Sequence, residues 1–266
     1  MNAFASDLDR TLIYSRRMIG TPDKEAGIEL IETLNGRELS YISSAVKEHL
    51  NQIQKDHYFI PVTTRTNEQY KRIVCFQQDI VPEYAVTTNG GCILKDGEPL
   101  KEWDELMKEE LASCLPIEAM LREIAGLSLS EAVKRTRIAH HYFVYLILHE
   151  EKIPCIDISA VKEWGADKGW QVSLQGRKLY FIPNPLNKWK AVEYLKSRLS
   201  LDEIYTAGDS MLDLELIREA DFGIAPAHGE VLSHDPELRK TIASGMLAGE
   251  EITASVLSQI SKLKHV

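Results

Sequence analysis

The chain has 266 residues and a formal charge of −9 at pH 7, with 40 acidic against 31 basic side chains. This acidic balance argues against nucleic acid as a partner, because phosphate backbones are bound by clustered Lys and Arg. The apolar fraction of 44% and the charged fraction of 27% are those of an ordinary soluble globular protein. The length predicts a main domain with a second, smaller one.

The cysteines are widely spaced and form no C-x-x-C pair: Cys75, Cys92, Cys114 and Cys155. This spacing argues against a zinc site or a disulfide framework and is typical of a reducing compartment, so we expect a cytoplasmic protein. No stretch approaches the ~18 apolar residues of a membrane span. Asp7 and Asp9 interrupt the apolar start, so we expect neither a signal peptide nor a membrane partner.

Strand and helix signals alternate over the first hundred residues, which predicts a parallel sheet flanked by helices. Asn35-Gly36 between two alternating stretches predicts a hairpin, which is either a flap over a site or a surface decoration. The elements predicted here are strand 2–6, hairpin arms 27–32 and 38–42, helix 44–54, strand 58–62, helix 67–76, strand 84–88 and a hairpin around Asp96-Gly97.

The pattern changes between residues 103 and 176, where a separate α+β module is predicted inside the sheet domain. Its predicted helices are 106–114, 117–124 and 130–136, and its predicted strands are 141–148 and 170–174. The sheet domain then resumes with strand 179–182, helix 188–199, strand 203–207, strand 221–225 and a C-terminal helix over 254–263. The predicted boundaries are therefore 1–102, 103–176 and 177–266.

The first strand ends in the sequence D-L-D-R-T, which contains Asp7, Asp9 and Thr11. Side chains alternate along a strand, so Asp7 and Asp9 share one side. Neighbouring carboxylates repel each other and are stabilised by a cation or a shared proton. Mg2+, held by carboxylates together with phosphate oxygens, meets that need. The alternative is an ordinary turn, since Asp and Thr are common turn residues.

Other predicted element ends also carry residues suited to phosphate chemistry. The second strand leads to Thr63, whose hydroxyl can donate to a phosphate oxygen. Lys188 lies near the start of a predicted helix, where anions are already favoured. Strand 203–207 is followed by Gly208, which permits a tight turn, and then by Asp209 and Asp213, which share one face of a helical turn. In open α/β sheets, ligands bind outside such strand ends.

Together these motifs resemble the haloacid dehalogenase (HAD) superfamily of phosphohydrolases. They occur in the family's order: DLDRT at 7–11, the strand ending at Thr63, Lys188, and GDSMLD at 208–213. The module's position between the second and third motifs is similar to the branch that holds the Cof-type, sucrose-phosphate and mannosyl-phosphoglycerate phosphatases. TTR at 63–65, TTNGG at 87–91 and NKWKA at 187–191 also resemble that branch.

The resemblance implies a fold, a reaction and a cofactor. The fold is α/β, a doubly wound parallel sheet with a Rossmann-like core and an inserted α+β cap at 103–176. The reaction is Mg2+-dependent hydrolysis of a small phosphorylated metabolite, such as a sugar phosphate. Alternatives are a phosphotransferase or phosphomutase that uses the same aspartyl-phosphate, and a non-catalytic binding module. The presence of both Asp7 and Asp9 argues against the binding module.

The resemblance also implies residue roles. Asp7 would be the nucleophile that forms an aspartyl-phosphate, and Asp9 the general acid and then base. Thr63 and Lys188 would hold the phosphoryl oxygens, and Lys188 would offset the clustered negative charge. The metal ligands would be the Asp7 carboxylate, the Asp9 backbone carbonyl and Asp209, with Asp213 behind them or bound through water.

Expected substrate contacts around this centre are Arg10, Thr11, Thr64 and Arg65. Arg10 stands where the branch usually has Gly, and it either reaches a second anionic group of the substrate or points to solvent. Arg65 either binds phosphate or braces the loop that carries Asp9. Leu212 stands where many relatives have Asn, which leaves the substrate type open.

Within the predicted cap, the sequence offers further polar candidates: Arg135, Arg137, His140 and His141. They either line a substrate pocket or form a solvated face, and the solvated face is the more common case for charged residues. A metal site at His140 and His141 is disfavoured, because adjacent residues of a strand point in opposite directions. The tryptophans are predicted to pack in the core or the cap.

Overall fold

The structure is a computed structural model that describes residues 1–19 and 27–263. The chain divides into two compact units, of which unit 1 combines Met1–Leu100 with Lys188–Val266 and unit 2 is Lys101–Asn187. None of the helices within the described residues has both the length and the apolar character needed to cross a membrane.

Strands and helices alternate along both units. The strands are β1 (Ala3–Ser6), β2 (Ile13–Tyr14), β3 (Ile28–Leu34), β4 (Arg37–Ser43), β5 (Tyr58–Pro61), β6 (Tyr84–Thr87), β7 (Cys92–Lys95), β8 (Glu98–Pro99), β9 (Val133–Ala139), β10 (Phe143–Leu148), β11 (Trp170–Gln175), β12 (Lys178–Pro183), β13 (Ile204–Ala207) and β14 (Phe222–Ile224). The helices are α1 (Arg16–Ile19), α2 (Ser44–Ile53), α3 (Asn67–Lys71), α4 (Cys75–Gln78), α5 (Lys101–Leu111), α6 (Ile117–Ala125), α7 (Ile158–Ala166), α8 (Lys188–Leu199), α9 (Leu214–Arg218) and α10 (Met246–Leu263).

Unit 1 is built on a parallel sheet with the strand order β14-β13-β1-β5. A parallel bridge between Val62 and Val86 extends this sheet toward β6, which continues into the antiparallel strands β7 and β8. Strand β1 is central, and its last residue, Ser6, lies opposite Ala207 on one side and Pro61 on the other. The carboxyl ends of three neighbouring strands therefore meet at one edge, and the predicted α/β fold class is confirmed.

One face of this sheet packs against helices α2 and α10. Helix α2 begins after Ser43, whose side chain accepts a hydrogen bond from the Ala45 N–H group. Val46 and Leu50, spaced at i and i+4, are buried in a cluster that includes Phe4 of β1 and Ile252 of α10. All four residues of β1 are buried, and Phe4 of the strand and Leu8 beyond it belong to this cluster, so the chain is anchored on both sides of Asp7.

The predicted hairpin is present as β3 and β4, joined at Asn35 and Gly36, which have φ angles of 52° and 73°. Its ladder is irregular: Leu30 pairs with Tyr41 but Glu32 pairs with Ser40, and a second register shift follows Glu32. Such bulges re-aim side chains. Here Glu32 and Ser40 are both buried, although neither residue type is usual inside a protein.

Two predicted helices of unit 1 have different bounds. The helix expected over 67–76 is broken into α3 and α4, because the Val74 N–H group leaves the helical pattern and donates to the Ile31 carbonyl of the hairpin. The β-branched residues Ile73 and Val74 are weak helix formers, which makes the break inexpensive. The C-terminal helix, expected from residue 254, begins already at Met246.

Unit 2 has its own antiparallel sheet, with the order β11-β12-β10-β9, and its own core around Trp170, Phe181 and Met120. The pairing of strand β12 differs from the prediction and changes where the inserted unit ends. The segment 179–182 was expected to resume the parallel sheet of unit 1, but it pairs antiparallel with β10 and β11. The inserted unit therefore ends at Asn187 instead of 176, and it begins at Lys101 instead of 103.

The helix predicted over 130–136 is wrong, because Val133–Ala139 forms strand β9. This strand lies at the edge of the sheet and carries exposed Arg135 and Arg137, in keeping with the use of charge to protect strand edges. His140 and His141 lie in the following turn, with φ angles of 45° and 64°, and not on a strand as assumed.

The predictions for cysteine and tryptophan agree with the structure. All four cysteines are free thiols. Trp103, Trp170 and Trp189 are buried, and Trp164 packs against the core of unit 2.

Candidate active site

The parallel pairing of β1 and β13 creates an acidic centre at the edge of the unit 1 sheet. The Asp7 N–H group donates to the Ala207 carbonyl at 2.9 Å, so the residues that follow the two strands are neighbours. Carboxylate oxygens of Asp7, Asp209 and Asp213 all lie within 4.8 Å of one another, and all three residues are buried. The structure thus brings together three of the acidic residues singled out in the sequence.

Asp213 is held in place by its own turn. Its Oδ2 atom accepts hydrogen bonds from the Ser210 backbone N–H at 2.9 Å and from the Ser210 hydroxyl at 2.6 Å. The Asp213 side chain packs directly on Gly208, where an added Cβ would lie 2.3 Å from the Cβ of Asp213. Glycine at position 208 is therefore required by the close approach of a carboxylate-bearing side chain.

Lys188, the first residue of α8, lies between two of these carboxylates. Its Nζ atom donates to Asp7 Oδ1 and to Asp213 Oδ1, both at 2.6 Å, and its side chain is 1% exposed. A second cation, Arg10, has its Nε atom 2.9 Å from Asp209 Oδ2. Three carboxylates therefore face two cations, and the centre keeps excess negative charge.

The protonation equilibria reflect this charge balance. Burial raises the pKa of Asp7 to about 7, with Lys188 opposing the rise and Asp213 adding to it. Burial and the nearby charges of Asp7 and Asp213 hold the pKa of Asp209 well above its usual range. Burial lowers the pKa of Lys188, but Asp213 and Asp7 more than reverse this effect, so Lys188 remains charged.

The donor set fits a divalent cation. Three clustered carboxylates supply the hard oxygen ligands that Mg2+ prefers. Burial, together with repulsion between the carboxylates, raises the pKa of Asp7 and of Asp209, and a bound cation would offset that repulsion. In this arrangement Asp7, Asp209 and Asp213 are the side chains that could hold the ion.

Thr11 orients Asp7. Its hydroxyl is buried and donates to Asp7 Oδ2 at 3.1 Å, while its backbone carbonyl accepts from the Tyr14 hydroxyl at 2.9 Å. The two Asp7 oxygens therefore have different partners, Lys188 on one side and Thr11 on the other. Thr11 is among the expected substrate contacts, and in the structure its hydroxyl contacts the Asp7 carboxylate.

Arg10 pairs with Asp209 of the acidic centre, while 45% of its side chain stays exposed to solvent. Its backbone has a φ of 68°, a conformation that is unusual for a residue with a side chain. His228 fixes this turn: its Nδ1 accepts from the Gly245 N–H, which leaves Nε2 to donate to the Arg10 carbonyl at 2.9 Å. Burial lowers the pKa of His228, which favours the neutral ring that this bonding requires.

Thr63 follows β5, on the side of β1 opposite to β13. It is buried, its N–H group donates to the Val86 carbonyl, and its carbonyl accepts from the Asn89 N–H group at 3.0 Å. Asn89 belongs to a turn, Thr88–Gly90, in which three successive residues have positive φ angles. The Thr88 N–H in the same turn donates to the Arg65 carbonyl at 2.8 Å, so this turn clamps the loop from Thr63 to Arg65. Thr64 is half-buried on that loop.

Asp9 is not one of the three clustered carboxylates. Its side chain is half-exposed and accepts two hydrogen bonds from Arg65, Nε to Oδ2 at 2.7 Å and Nη2 to Oδ1 at 2.8 Å. This two-point pairing corresponds to the second of the two alternatives for Arg65, in which it braces the loop carrying Asp9. Paired guanidinium and carboxylate groups of this geometry are strongly oriented.

Arg65 is held from its other side by residues that sequence reasoning missed. Its Nη1 donates to Glu32 Oε2 at 2.7 Å, and Glu32 Oε1 accepts from Arg72 Nε at 3.0 Å. Ser40 joins the group through its hydroxyl. A glutamate on a strand of a hairpin usually faces solvent, so no local pattern identifies Glu32. His228 was also missed, because its partner Arg10 is far away in sequence and no local pattern connects the two.

The polar candidates of unit 2 show no clustering comparable to that of the acidic centre. Arg135, Arg137 and His141 are exposed, and His140 is half-buried. Within the residues that the structure describes, the cluster of possible metal ligands is the aspartate triad of unit 1.

Comparison with solved structures identifies the fold class. The sucrose-phosphatase of Synechocystis sp. PCC6803, solved with sucrose and phosphate, superposes with a TM-score of 0.66 at 19% identity, covering 95% of this chain and 96% of that one. A HAD subclass IIB sugar phosphatase gives a TM-score of 0.59 at 14% identity, over 98% and 99%. A haloacid dehalogenase-like hydrolase from Bacillus subtilis gives 0.56 at 13% identity, over 97% and 90%. At these identities the likeness shows the fold.

The fold and the acidic centre define a phosphatase of the haloacid dehalogenase superfamily. Within that superfamily, the sequence model described as sucrose-6F-phosphate phosphohydrolase matches residues 2–262, and the chain belongs to this family. A comparison with curated protein sequences gives no significant match. The predicted superfamily, branch and enzyme class are thereby confirmed.

Proposed function

We propose that this protein hydrolyses a small sugar phosphate in a Mg2+-dependent reaction that passes through an aspartyl-phosphate on Asp7. The observation that carries the proposal is the state of Asp7 itself. Its carboxylate is buried, oriented by Thr11 and Lys188, and adjacent to two further aspartates. A carboxylate arranged in this way is suited to act as a positioned nucleophile.

The reaction divides into two balanced steps. In the first, an Asp7 oxygen forms a bond to phosphorus while the bond to the sugar oxygen breaks, and Asp9 gives a proton to that leaving oxygen. In the second, water attacks the phosphorus, Asp9 accepts a proton from that water, and phosphate leaves as the Asp7 carboxylate is restored. Asp9 thus ends each cycle protonated, as it began.

Lys188 and Thr63 are proposed to hold the transferring phosphoryl group. Lys188 is shared between Asp7 and Asp213, which puts its charge beside the proposed nucleophile. A bound Mg2+, held by Asp7, Asp209, Asp213 and the Asp9 carbonyl, would supply charge stabilisation for the phosphoryl oxygens. Positioning and electrostatic stabilisation are the main sources of rate enhancement in phosphoryl transfer.

A sugar phosphate is the proposed substrate class because relatives of this fold act on such compounds. The Synechocystis relative is a sucrose-phosphatase and another structural neighbour is a sugar phosphatase. We propose that unit 2 is the cap that selects the sugar, since it has its own sheet and core and is inserted between the second and third motifs. The alternative is that Arg135 and Arg137 form a solvated face of β9.

The first test is hydrolysis of p-nitrophenyl phosphate by the purified protein, with Mg2+ and with EDTA. We expect Mg2+-dependent release that falls by about a thousandfold or more in Asp7→Asn. Asp96→Asn is the matched control, because Asp96 lies in an exposed turn with a φ of 51° that Asn also tolerates. Equal turnover in wild type and Asp7→Asn would overturn the proposed chemistry.

The second test is a panel of sugar phosphates that includes sucrose 6-phosphate, assayed by phosphate release without an added acceptor. Release at rates well above that from p-nitrophenyl phosphate supports a sugar phosphatase. Phosphoryl transfer that requires an added sugar acceptor would replace hydrolysis by the phosphotransferase alternative.

A further inference from the structure

The β3–β4 hairpin contains a buried ionic group that the proposed reaction does not use. Glu32 is 2% exposed and Ser40 is 4% exposed, yet both are polar and both lie on strands of a surface hairpin. Burying a carboxylate is costly unless it is paired and hydrogen-bonded. Here the pairing is complete: Glu32 Oε1 accepts from Arg72, and Oε2 accepts from Arg65 and from the Ser40 hydroxyl at 2.7 Å.

The irregular pairing of the hairpin brings this group inward. The register shifts on both sides of Glu32 set the Glu32–Ser40 pair apart from the regular ladder. Ser40 then links the two charged groups, since its hydroxyl donates to Glu32 and accepts from Arg65 Nη2 at 3.1 Å. Bulges next to a site commonly serve to aim a side chain.

All five N–H donors of the Arg65 guanidinium have acceptors. Nε and one hydrogen of Nη2 go to Asp9, and the other hydrogen of Nη2 goes to Ser40. The hydrogens of Nη1 go to Glu32 and, at 3.5 Å, to the Gln69 carbonyl. A guanidinium has no further donor, so this arrangement leaves none for a phosphoryl oxygen. Arg65 is thus a connection between the hairpin and Asp9.

We propose that Glu32 is a positioning residue for the reaction: through Arg65 it fixes the orientation of the Asp9 carboxyl group relative to the leaving oxygen. The inference rests on the proposed role of Asp9. The side chain of Asp9 is half-exposed and has Arg65 as the partner that holds both of its oxygens. Without the Glu32 carboxylate, the side of the guanidinium opposite Asp9 keeps the Ser40 hydroxyl at 3.1 Å and the Gln69 carbonyl at 3.5 Å, so its orientation is held less strictly.

Dependence on the leaving group tests this role. The p-nitrophenolate ion leaves readily without a proton, whereas the more basic phenolate ion depends more on protonation by the general acid. A misplaced acid should therefore slow the hydrolysis of phenyl phosphate more than that of p-nitrophenyl phosphate. The quantity measured is kcat/KM for p-nitrophenyl phosphate divided by kcat/KM for phenyl phosphate. For Glu32→Gln we expect this ratio to rise about tenfold over wild type, in the direction shown by Asp9→Asn.

The matched control is Glu29→Gln on the same strand, because Glu29 also pairs with a cation, Lys47 at 2.8 Å, but does not contact Arg65. We expect it to leave the ratio unchanged. Ser40→Ala provides a milder variant that keeps all charges, and it should raise the ratio less than Glu32→Gln. Thermal melts of each variant separate loss of fold from loss of alignment.

Three results are decisive. A raised ratio in Glu32→Gln, with a cooperative melt, supports the inference. An unchanged ratio in Glu32→Gln while Asp9→Asn raises it overturns this inference alone, and shows that Glu32 is structural. An unchanged ratio in Asp9→Asn removes the acid role of Asp9 and this inference with it, while the Asp7→Asn test of the proposed function still stands by itself.

Discussion

The ammonium group of Lys188 is almost completely shielded from water and lies 2.6 Å from carboxylate oxygens of both Asp7 and Asp213. Buried ions of this kind are stable only while their partners remain, because an unpaired buried charge costs several kcal/mol. The acidic centre nevertheless carries more carboxylates than cations. We therefore expect this excess of carboxylates to reduce the stability of the protein when no cation is bound.

The first prediction is that Asp7→Asn stabilises the metal-free protein at pH 8. The raised pKa of Asp7 means that its ionised form is disfavoured by folding, so replacing it with a neutral amide should add about 1–3 kcal/mol to the free energy of unfolding. Lys188→Met should do the reverse and cost about 3–5 kcal/mol, since it leaves two carboxylates uncompensated. Urea unfolding in EDTA measures both, and a destabilised Asp7→Asn protein would contradict the charge balance described here.

The second prediction concerns pH and metal. The Asp7 pKa is about 7 when folded, against an ordinary value of 3.8, so the folded protein keeps a proton that the unfolded chain releases. The contribution of Asp7 to the free energy of unfolding of the metal-free protein should therefore be largest below about pH 4. It should fall as the pH rises to about 7.

Mg2+ competes with that proton, so its stabilising effect should be larger at pH 8 than at pH 5.5. At a concentration of 100 times the dissociation constant, a ligand adds about 2.7 kcal/mol. Thermal melts with Mg2+ or EDTA at the two pH values measure the difference, with Ca2+ as a comparison ion. An equal shift at both pH values would indicate binding away from the carboxylates.

The residues of the acidic centre were predictable because they follow strand ends in a recognisable order. Asp7, Lys188, Asp209 and Asp213 meet in the structure as the motifs indicate. Glu32 was not predictable, since its burial depends on a register shift in the hairpin and on a partner, Arg65, that a sequence pattern does not connect to it.

At the scale of elements, the turn after β13 is the tightest part of the site. The third prediction is that Gly208→Ala lowers Mg2+ affinity by about 10–100-fold, because the added methyl group must displace the Asp213 side chain, whose Cβ would be 2.3 Å away. Calorimetric titration with Mg2+ measures this change.

Gly97→Ala is the control for that variant. Gly97 also has a positive φ, of 81°, but an added Cβ would meet nothing within 4 Å. It should lose about 1 kcal/mol of stability and keep its Mg2+ affinity. Equal affinity in both variants would show that Asp213 does not contribute to the metal site.

Element prediction succeeded where local signals and packing agree. The Asn35-Gly36 turn is read directly from residue type, and it is present. It failed where a partner far away in the sequence determines the secondary structure of a segment. The Val74 N–H group donates to the Ile31 carbonyl and so interrupts the predicted helix. The charged segment predicted as a helix over 130–136 instead pairs with β10 and forms strand β9. Such long-range pairings are not encoded in a local period.

For the whole molecule, the separate sheet and core of unit 2 make it a candidate for independent folding. The fourth prediction is that a fragment of residues 101–187 unfolds cooperatively, with a stability of roughly 3–5 kcal/mol. A fragment of residues 103–176 is the matched comparison. It lacks β12, which pairs with both β10 and β11, and should show no cooperative transition by circular dichroism. Similar melts for both fragments would return the boundary to 176.

The central position of β1 has a consequence for the order in which the protein is made. Its neighbour β5 follows early in the chain, but its other neighbour, β13, is translated only after the whole of unit 2. A ribosome therefore delivers unit 2 complete while the sheet of unit 1 still lacks one side, and domains can fold as they emerge. Lys188 also emerges before Asp209 and Asp213. The nascent chain thus acquires its neutralising cation before the two carboxylates that would repel Asp7.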